Sequence, residues 1–266
     1  MTIARERLSR KNNIYRGDDF LLGENEELQP LGNGINVIVS EEHHFFTDTI
    51  ILADFSKPRT YETAVELGTG CGTIPLIWSR ENPPKHTYAV EIQENAADMA
   101  KRSVEMNALE SRITVMNEDL RELKGKLNFG FFDVVVCNPP YKPLGTGIVS
   151  SGKSHSIVRH ENTCTIEDVI KTASSLLRFG GRFCMCLRPD RLTESLLLMR
   201  KYLIEPKRLR MVQQRKDKAP KLFLAEGKRG GKEGGLNVMP VLLIEDESGN
   251  FSEEMMKIYG SFKEVK

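Results

Sequence analysis

The sequence predicts an α/β fold with a mostly parallel sheet, and three observations carry that expectation. From Thr63 to Val136 short apolar runs alternate with stretches of helical spacing. The alternation continues to about Tyr202 through a helix, a strand and a second helix. After it, RLRMVQQ (208–214) and KLFLAEGK (221–228) are separated only by RKDKAP, too little chain for a crossover helix, so the sheet should finish in an antiparallel hairpin.

Taken in order, INVIV (35–39) reads as a strand and FFTDTIILADF (45–55) as a helix with Leu and Ile on one face. TAVEL (63–67) is the first core strand, followed by GTGCGT and a helix around Ile74 to Arg80. HTYAVEI (86–92) is the second strand. The segment from Asn95 to Met106 is helical, with Ala96, Met99, Ala100 and Val104 at helical spacing. RITVMNEDL (112–120) and FDVVVCN (132–138) are the third and fourth strands. A helix from about Ile166 to Leu177, the strand GRFCMCL (181–187) and a helix from about Arg191 to Tyr202 complete the repeating units. Units of this kind place helices on both faces of the sheet. GKRGGKEGG (227–235) reads as a flexible basic loop and NVMPVLLIED (237–246) as one more extended piece. The expected organisation is a single domain over 1–266, with an N-terminal extension (1–60), a core (61–228) and a C-terminal extension (229–266).

At 266 residues, 39% hydrophobic and 28% charged, the composition is that of a soluble protein with a sizeable core. No apolar run approaches the roughly 20 residues that span a bilayer. The basic start MTIARERLSRKNN has no apolar stretch after it, so it is not read as a secretory signal. Five cysteines point to reduced thiols and a cytoplasmic location. Cys184 and Cys186 are spaced for one face of a strand rather than for a zinc or redox site, and no metal is expected. The net charge of +1 is uneven: Arg178 to Lys232 holds sixteen Lys and Arg against five Asp and Glu, a local balance of +11. Such asymmetry suits either a surface that faces a polyanion or a merely solvated one.

Glu66-Leu67-Gly68-Thr69-Gly70-Cys71-Gly72 closes the first core strand and opens a helix. The glycines let backbone pass close under a ligand, and a helix N-terminus favours polar or negative groups. Dinucleotide folds use GxGxxG; here the third glycine comes one residue early, and alone the motif is equally a tight turn. Glu91 ends the second strand, where a carboxylate can accept both hydroxyls of a ribose. Asp119 ends the third, where it can accept from an exocyclic adenine amine, with the Leu120 backbone beside it. Open α/β sheets bind ligands at this carboxyl end of their strands. A lone acid there is commonly a helix N-cap; acids in successive register with a glycine turn point to a ligand. No lysine follows the glycines as in a P-loop, which disfavours nucleoside triphosphates.

This arrangement resembles class I S-adenosylmethionine-dependent methyltransferases. The resemblance implies a Rossmann-like, mostly parallel seven-stranded sheet with an antiparallel C-terminal hairpin, S-adenosylmethionine as cofactor, and Glu66 near its methionine end. The cofactor-binding set is expected to be Asp48, Glu66, Gly68, Thr69, Gly70, Gly72, Glu91, Ile92, Asp119, Leu120 and Asn138.

Asn138-Pro139-Pro140-Tyr141 follows the fourth strand, where the strand order should reverse and a crevice open. An amine conjugated to a ring or carbonyl is a poor nucleophile because its lone pair is delocalised. The Asn138 side-chain oxygen and the Pro139 carbonyl can each accept one N–H and draw the nitrogen towards tetrahedral geometry. Pro140 stiffens the turn and Tyr141 can stack on a planar base. Without such a substrate, the tetrapeptide is a rigid exit from a strand.

The motif is shared by nucleic-acid amino-methyltransferases and release-factor glutamine methyltransferases; the latter carry an N-terminal helical bundle that residues 1–60 do not resemble. The chain looks most like the bacterial tRNA1(Val) N6-adenine methyltransferases, on FTDTIILA, ELGTGCGTIPL, VEIQENAADMAKRSVEMNAL, NPPY, IVRHE and LRPDRL, over roughly residues 35 to 245. DDFLLGENEELQ (18–29) has no counterpart in that resemblance. The likeness implies Asp48 near the methionine end of the cofactor. It also implies Arg159, His160 and Glu161 ordering the loop after NPPY, Arg188 and Arg191 near the substrate with Tyr141 and Lys142, and an anticodon stem-loop of tRNA as partner. The polar loop GIVSSGKSHSIVRHE (147–161) suits a cover over a flipped base, or is uninvolved. The arm Arg5, Arg7, Arg10, Lys11 and the 178–232 stretch are read as a backbone-binding surface. A different class, an RNA-binding module without catalysis, is disfavoured because Asn138, Glu91 and the glycines are all present.

Overall fold

The valine run near residue 134 lies at the centre of the sheet because both of its faces are covered. The computed structural model describes residues 22–139 and 164–260. The chain forms an antiparallel hairpin of β1 (Glu26–Gly32) and β2 (Ile35–Ser40), then helix α1 (Thr47–Ser56). The core follows as β3 (Thr63–Leu67), α2 (Thr73–Trp78), β4 (His86–Glu91), α3 (Glu94–Met106), β5 (Ile113–Asn117) and β6 (Phe132–Cys137). After it come α4 (Ile166–Leu176), β7 (Leu177–Leu187), α5 (Leu192–Lys201), β8 (Ile204–Gln213) and β9 (Leu222–Arg229). Two-residue strands β10 (Asn237–Val238) and β11 (Leu242–Leu243) and helix α6 (Glu253–Tyr259) end the described chain.

The main sheet runs β10-β8-β9-β7-β6-β3-β4-β5, with β11 also pairing β8. β9 alone runs antiparallel to its neighbours, wedged between β7 and β8. The seven expected strands and their hairpin are therefore present, and β10 and β11 widen the sheet at the β8 edge. Alternate side chains sort the strands onto two cores. Val134, Val136, Cys184 and Cys186 face the layer of α1, α2 and α3, with α6 added to it. Val135, Cys137, Phe183 and Met185 face α4 and α5. The two cysteines of β7 are thus core residues on one face. Among the described residues no helix is long and apolar enough to cross a membrane.

Two elements depart from the sequence reading. The third core strand stops at Asn117 rather than Leu120, since Glu91 opposite Asn117 is the last pair. The chain then bends off the edge, with Glu118 N–H donating to the Glu91 carbonyl at 3.0 Å. β7 starts at Leu177, four residues early, through a bulge that pairs Leu177 with Phe132 before the regular register begins.

The hairpin docks on α3 through side chains that satisfy its outward backbone. The Ser103 hydroxyl accepts from Ile38 N–H at 2.9 Å and donates to the Met99 carbonyl at 2.7 Å. The Asn107 amide accepts from Asn36 N–H at 3.0 Å and donates to the Asn36 carbonyl at 2.7 Å. Arg102 adds a two-pronged pair with Glu26 at 2.6 and 2.8 Å. Ser103 is fully buried. Ser103→Ala is therefore expected to leave the Ile38 N–H without its acceptor and cost about 1–3 kcal/mol, read as a lower urea midpoint at unchanged slope.

Candidate active site

Each parallel core strand delivers one polar feature to the same rim of the sheet. β3 delivers the glycine turn, β4 Glu91, β5 Asp119, β6 Asn138 and β7 Arg188. Gly68, Gly70 and Gly72 all have left-handed φ (76, 57 and 85°), which glycine adopts with little strain and residues with a Cβ do not. A Cβ on Gly68 or Gly70 would meet nothing within 4 Å, so the turn presents bare backbone to open space. A Cβ on Gly72 would lie 3.1 Å from the Ala100 Cβ, so the third glycine instead lets α2 and α3 approach. The Gly68 and Thr69 N–H groups donate to the Val90 carbonyl at 2.8 and 3.0 Å, tying the turn to β4.

Glu91 is buried, 5% exposed, at the rim. One of its oxygens accepts from Gly70 N–H at 2.8 Å and the other from Gln93 N–H at 2.9 Å. A carboxylate oxygen can accept two hydrogen bonds, so each retains capacity for a hydroxyl. This fits a vicinal diol.

Glu66 lies beneath the turn. Its carboxyl is 2% exposed and accepts from the Thr69 hydroxyl at 2.5 Å. Burial pushes its pKa well above the usual carboxyl range, with the Glu91 charge adding to the effect. A carboxyl raised in this way holds its proton more tightly when folded. Its contribution to stability is full below the unfolded carboxyl pKa and is lost as pH rises towards the folded value. Glu66→Gln is expected to gain in urea midpoint over the parent as pH rises from about 5 to about 8, and a constant difference would show that Glu66 does not titrate with folding.

Asp119 stands two residues beyond β5 and caps the 3-10 turn Leu120–Glu122. It accepts from Arg121 N–H at 2.8 Å and from the Arg121 guanidinium at 2.5–3.0 Å. Arg121 holds this carboxyl below its ordinary pKa. The expected adenine acceptor is thus engaged by its neighbour, as befits an N-cap acid. The Leu120 carbonyl accepts from the Thr172 hydroxyl at 3.3 Å, and Ile92 is 44% exposed next to Glu91.

Asn138, immediately after β6, reaches α1. Its amide nitrogen donates to Asp48 Oδ2 and to Thr49 Oγ1, both at 3.3 Å. Asp48 Oδ1 in turn accepts from Thr49 N–H at 2.8 Å. A carboxylate only accepts, so the Asn138 end facing Asp48 must be the NH₂ group. The nitrogen is therefore held towards α1. Asp48 joins the Asn138 site, and Thr49 is a member that sequence reading missed. Only its place beside Asp48 hinted at it, since its contact spans 89 residues of chain. Arg188 is exposed at the end of β7, and Arg191 is paired with Glu194 at 2.7 Å. Pro139 is buried. Pro140, Tyr141, Lys142, Arg159, His160 and Glu161 lie outside the described residues, as does the N-terminal arm.

The 178–232 cations do not make one face, because the strands carrying them run in both directions. Arg178, Arg182, Arg200, Lys201 and Arg208 fall towards the opposite end of the sheet or its middle, paired with Asp133, Glu62, Glu205, Glu167 and Glu226. Arg210 pairs with Glu254 of α6. Glu205 and Glu226 belong to the same run, while Asp133, Glu62, Glu167 and Glu254 come from elsewhere in the chain and offset part of the local excess.

The methyltransferase small domain profile matches residues 40–210, well over half of the chain. The chain belongs to the methyltransferase small domain family. Among curated relatives, this methyltransferase is 27% identical over 203 residues to the tRNA1(Val) (adenine(37)-N6)-methyltransferase of Porphyromonas gingivalis, covering 74% of this chain and 78% of the relative. The enzyme of the same name from Bacteroides thetaiotaomicron is 28% identical over 145 residues, 54% of this chain and 59% of that one. In fold, the methyltransferase is similar to a predicted O-methyltransferase of Agrobacterium tumefaciens (TM-score 0.64, 20% identity, 80% of this chain and 95% of that one). It is also similar to the tRNA m1G37 methyltransferase of M. jannaschii (TM-score 0.57, 18% identity, 80% and 60%). A third neighbour, M. jannaschii TYW2, was solved with AdoMet (TM-score 0.54, 16% identity, 79% and 89%). The Rossmann-like methyltransferase fold follows from these likenesses.

Proposed function

We propose that this methyltransferase modifies an exocyclic amine of RNA, adenine N6 of a tRNA, and that Asn138 is its central catalytic residue. The donor is S-adenosylmethionine, which supplies an electrophilic methyl group on a sulfonium. Glu91 is suited to its ribose hydroxyls, while the bare backbone at Gly68 and Gly70 admits close approach of the cofactor. The pinning of the Asn138 nitrogen by Asp48 and Thr49 carries the reading, since it directs the amide's acceptor end to the amine. On that reading, Asn138 Oδ1 and the Pro139 carbonyl accept the two amine hydrogens and so localise the nitrogen lone pair. A proton leaves the methylated nitrogen to water, so no side chain is required as base.

The tRNA substrate is supported by the names of the relatives and by residues 22–46, which contribute a β-hairpin beside the core where glutamine methyltransferases carry helices. A tRNA substrate agrees with a cytoplasmic enzyme whose core spans residues 61–228. Incubation with labelled cofactor and either total tRNA or purified release factor, followed by nucleoside mass spectrometry, tests the proposal. N6-methyladenosine in tRNA is the expected product. Label confined to release factor would overturn the nucleic-acid reading.

A further inference from the structure

We propose that the groove between Arg188 and Lys221 is a phosphodiester subsite, holding RNA backbone beside the nucleotide presented to Asn138. The inference rests on the RNA reading above and assigns a place to the backbone.

The groove, about 600 Å³, is lined by Arg188, Pro189, Asp190, Pro220, Lys221 and Leu222. It lies on the Asn138 rim for topological reasons. β7 leaves the sheet there and β9, running the other way, enters there, with Leu187 opposite Phe223 as the last pair. β6, β7 and β9 are consecutive in the sheet. With strands about 4.8 Å apart, the backbone at Arg188 is displaced about 5 Å from the Asn138 strand and that at Lys221 about 10 Å. Phosphates flank any nucleotide turned out of its stack into a crevice. Long cationic side chains at those two offsets stand where such phosphates run.

The charges in this groove are unspent. Arg188 and Lys221 are exposed, and neither has an acid within ion-pair distance among the described residues; the same holds for Lys216 in the loop between β8 and β9. Their rim neighbours differ, with Arg191 paired to Glu194 and Lys218 to Asp217 at 3.1 Å. Asp190 is the one acid lining the groove, against two cations. Lys228 and Lys232 are also exposed and without an acid at ion-pair distance among the described residues, but they sit at the far end of the sheet from Asn138. The guanidinium fork matches two phosphate oxygens and the ammonium acts as a point charge. Proline at 189 and at 220 limits the backbone freedom lost on binding.

The test is binding of total tRNA by the full chain, measured by fluorescence anisotropy across a salt series. Lys221→Gln is expected to lower the slope of log affinity against log salt by about 1, and Arg188→Gln/Lys221→Gln by about 2. Affinity for S-adenosylhomocysteine and thermal midpoint should stay at the parent values. Lys228→Gln/Lys232→Gln, at the distant end, should leave the slope unchanged. A salt-dependent parent whose slope is the same in the Arg188→Gln/Lys221→Gln variant overturns the groove while leaving the RNA reading intact. A parent that binds no RNA but methylates release factor overturns the RNA reading itself.

Discussion

Asn138→Ala is expected to cut turnover by about 10²–10³-fold while cofactor affinity stays within a few-fold. On the proposed mechanism the amide acts on the nitrogen only as charge develops there, so its loss should register in the chemical step and not in ground-state binding. Single-turnover methylation and calorimetric titration with S-adenosylhomocysteine separate the two. Asn138→Asp is an informative companion. It restores an acceptor but sets a carboxylate about 3.3 Å from Asp48 Oδ2, where the amide now donates. Two like charges at that separation repel, so this variant should fail to recover activity at neutral pH. Comparable losses of affinity and turnover in the alanine variant would make the amide a structural group.

Glu91→Ala is expected to weaken cofactor binding by about 10- to 100-fold, with a much smaller change in turnover at saturating cofactor. The carboxylate is buried at the rim and already accepts from Gly70 and Gln93 N–H, so its removal also orphans two backbone donors. Some loss of stability should accompany the loss of affinity. Glu91→Gln keeps an acceptor oxygen for one of those donors and should recover more stability than affinity. An unchanged dissociation constant in the alanine variant would remove Glu91 from the ribose site.

The core strands were legible because each holds a short, largely apolar run between turn residues. Val134 to Val136, fully buried, is the clearest case. β1 was not legible because its burial does not alternate and Pro30 interrupts it. α6 is too short to show a helical period, although Ser252 caps it by accepting from Met255 N–H at 3.1 Å. On the rim, the glycines, Glu91 and Asn138 could be placed from the sequence because each ends a strand or follows one directly. Thr49 could not, since its role depends on the distance between α1 and the end of β6. How the basic run is distributed in space was not legible for a related reason. The run passes through β7, β8 and β9, which spread its cations along the length of the sheet, and their acidic partners come both from the run itself (Glu205, Glu226) and from distant segments (Glu62, Glu254).

The wedging of β9 between β7 and β8 also orders events on the ribosome. The whole candidate rim up to Arg188 emerges before the strand that shields the flank of β7. Until residue 229 is made, β7 offers an unsatisfied hydrogen-bonding edge and β8 has no strand to lie against. Such an edge invites pairing with other nascent chains. A prematurely terminated chain would therefore be lost to aggregation instead of surviving as a shortened enzyme.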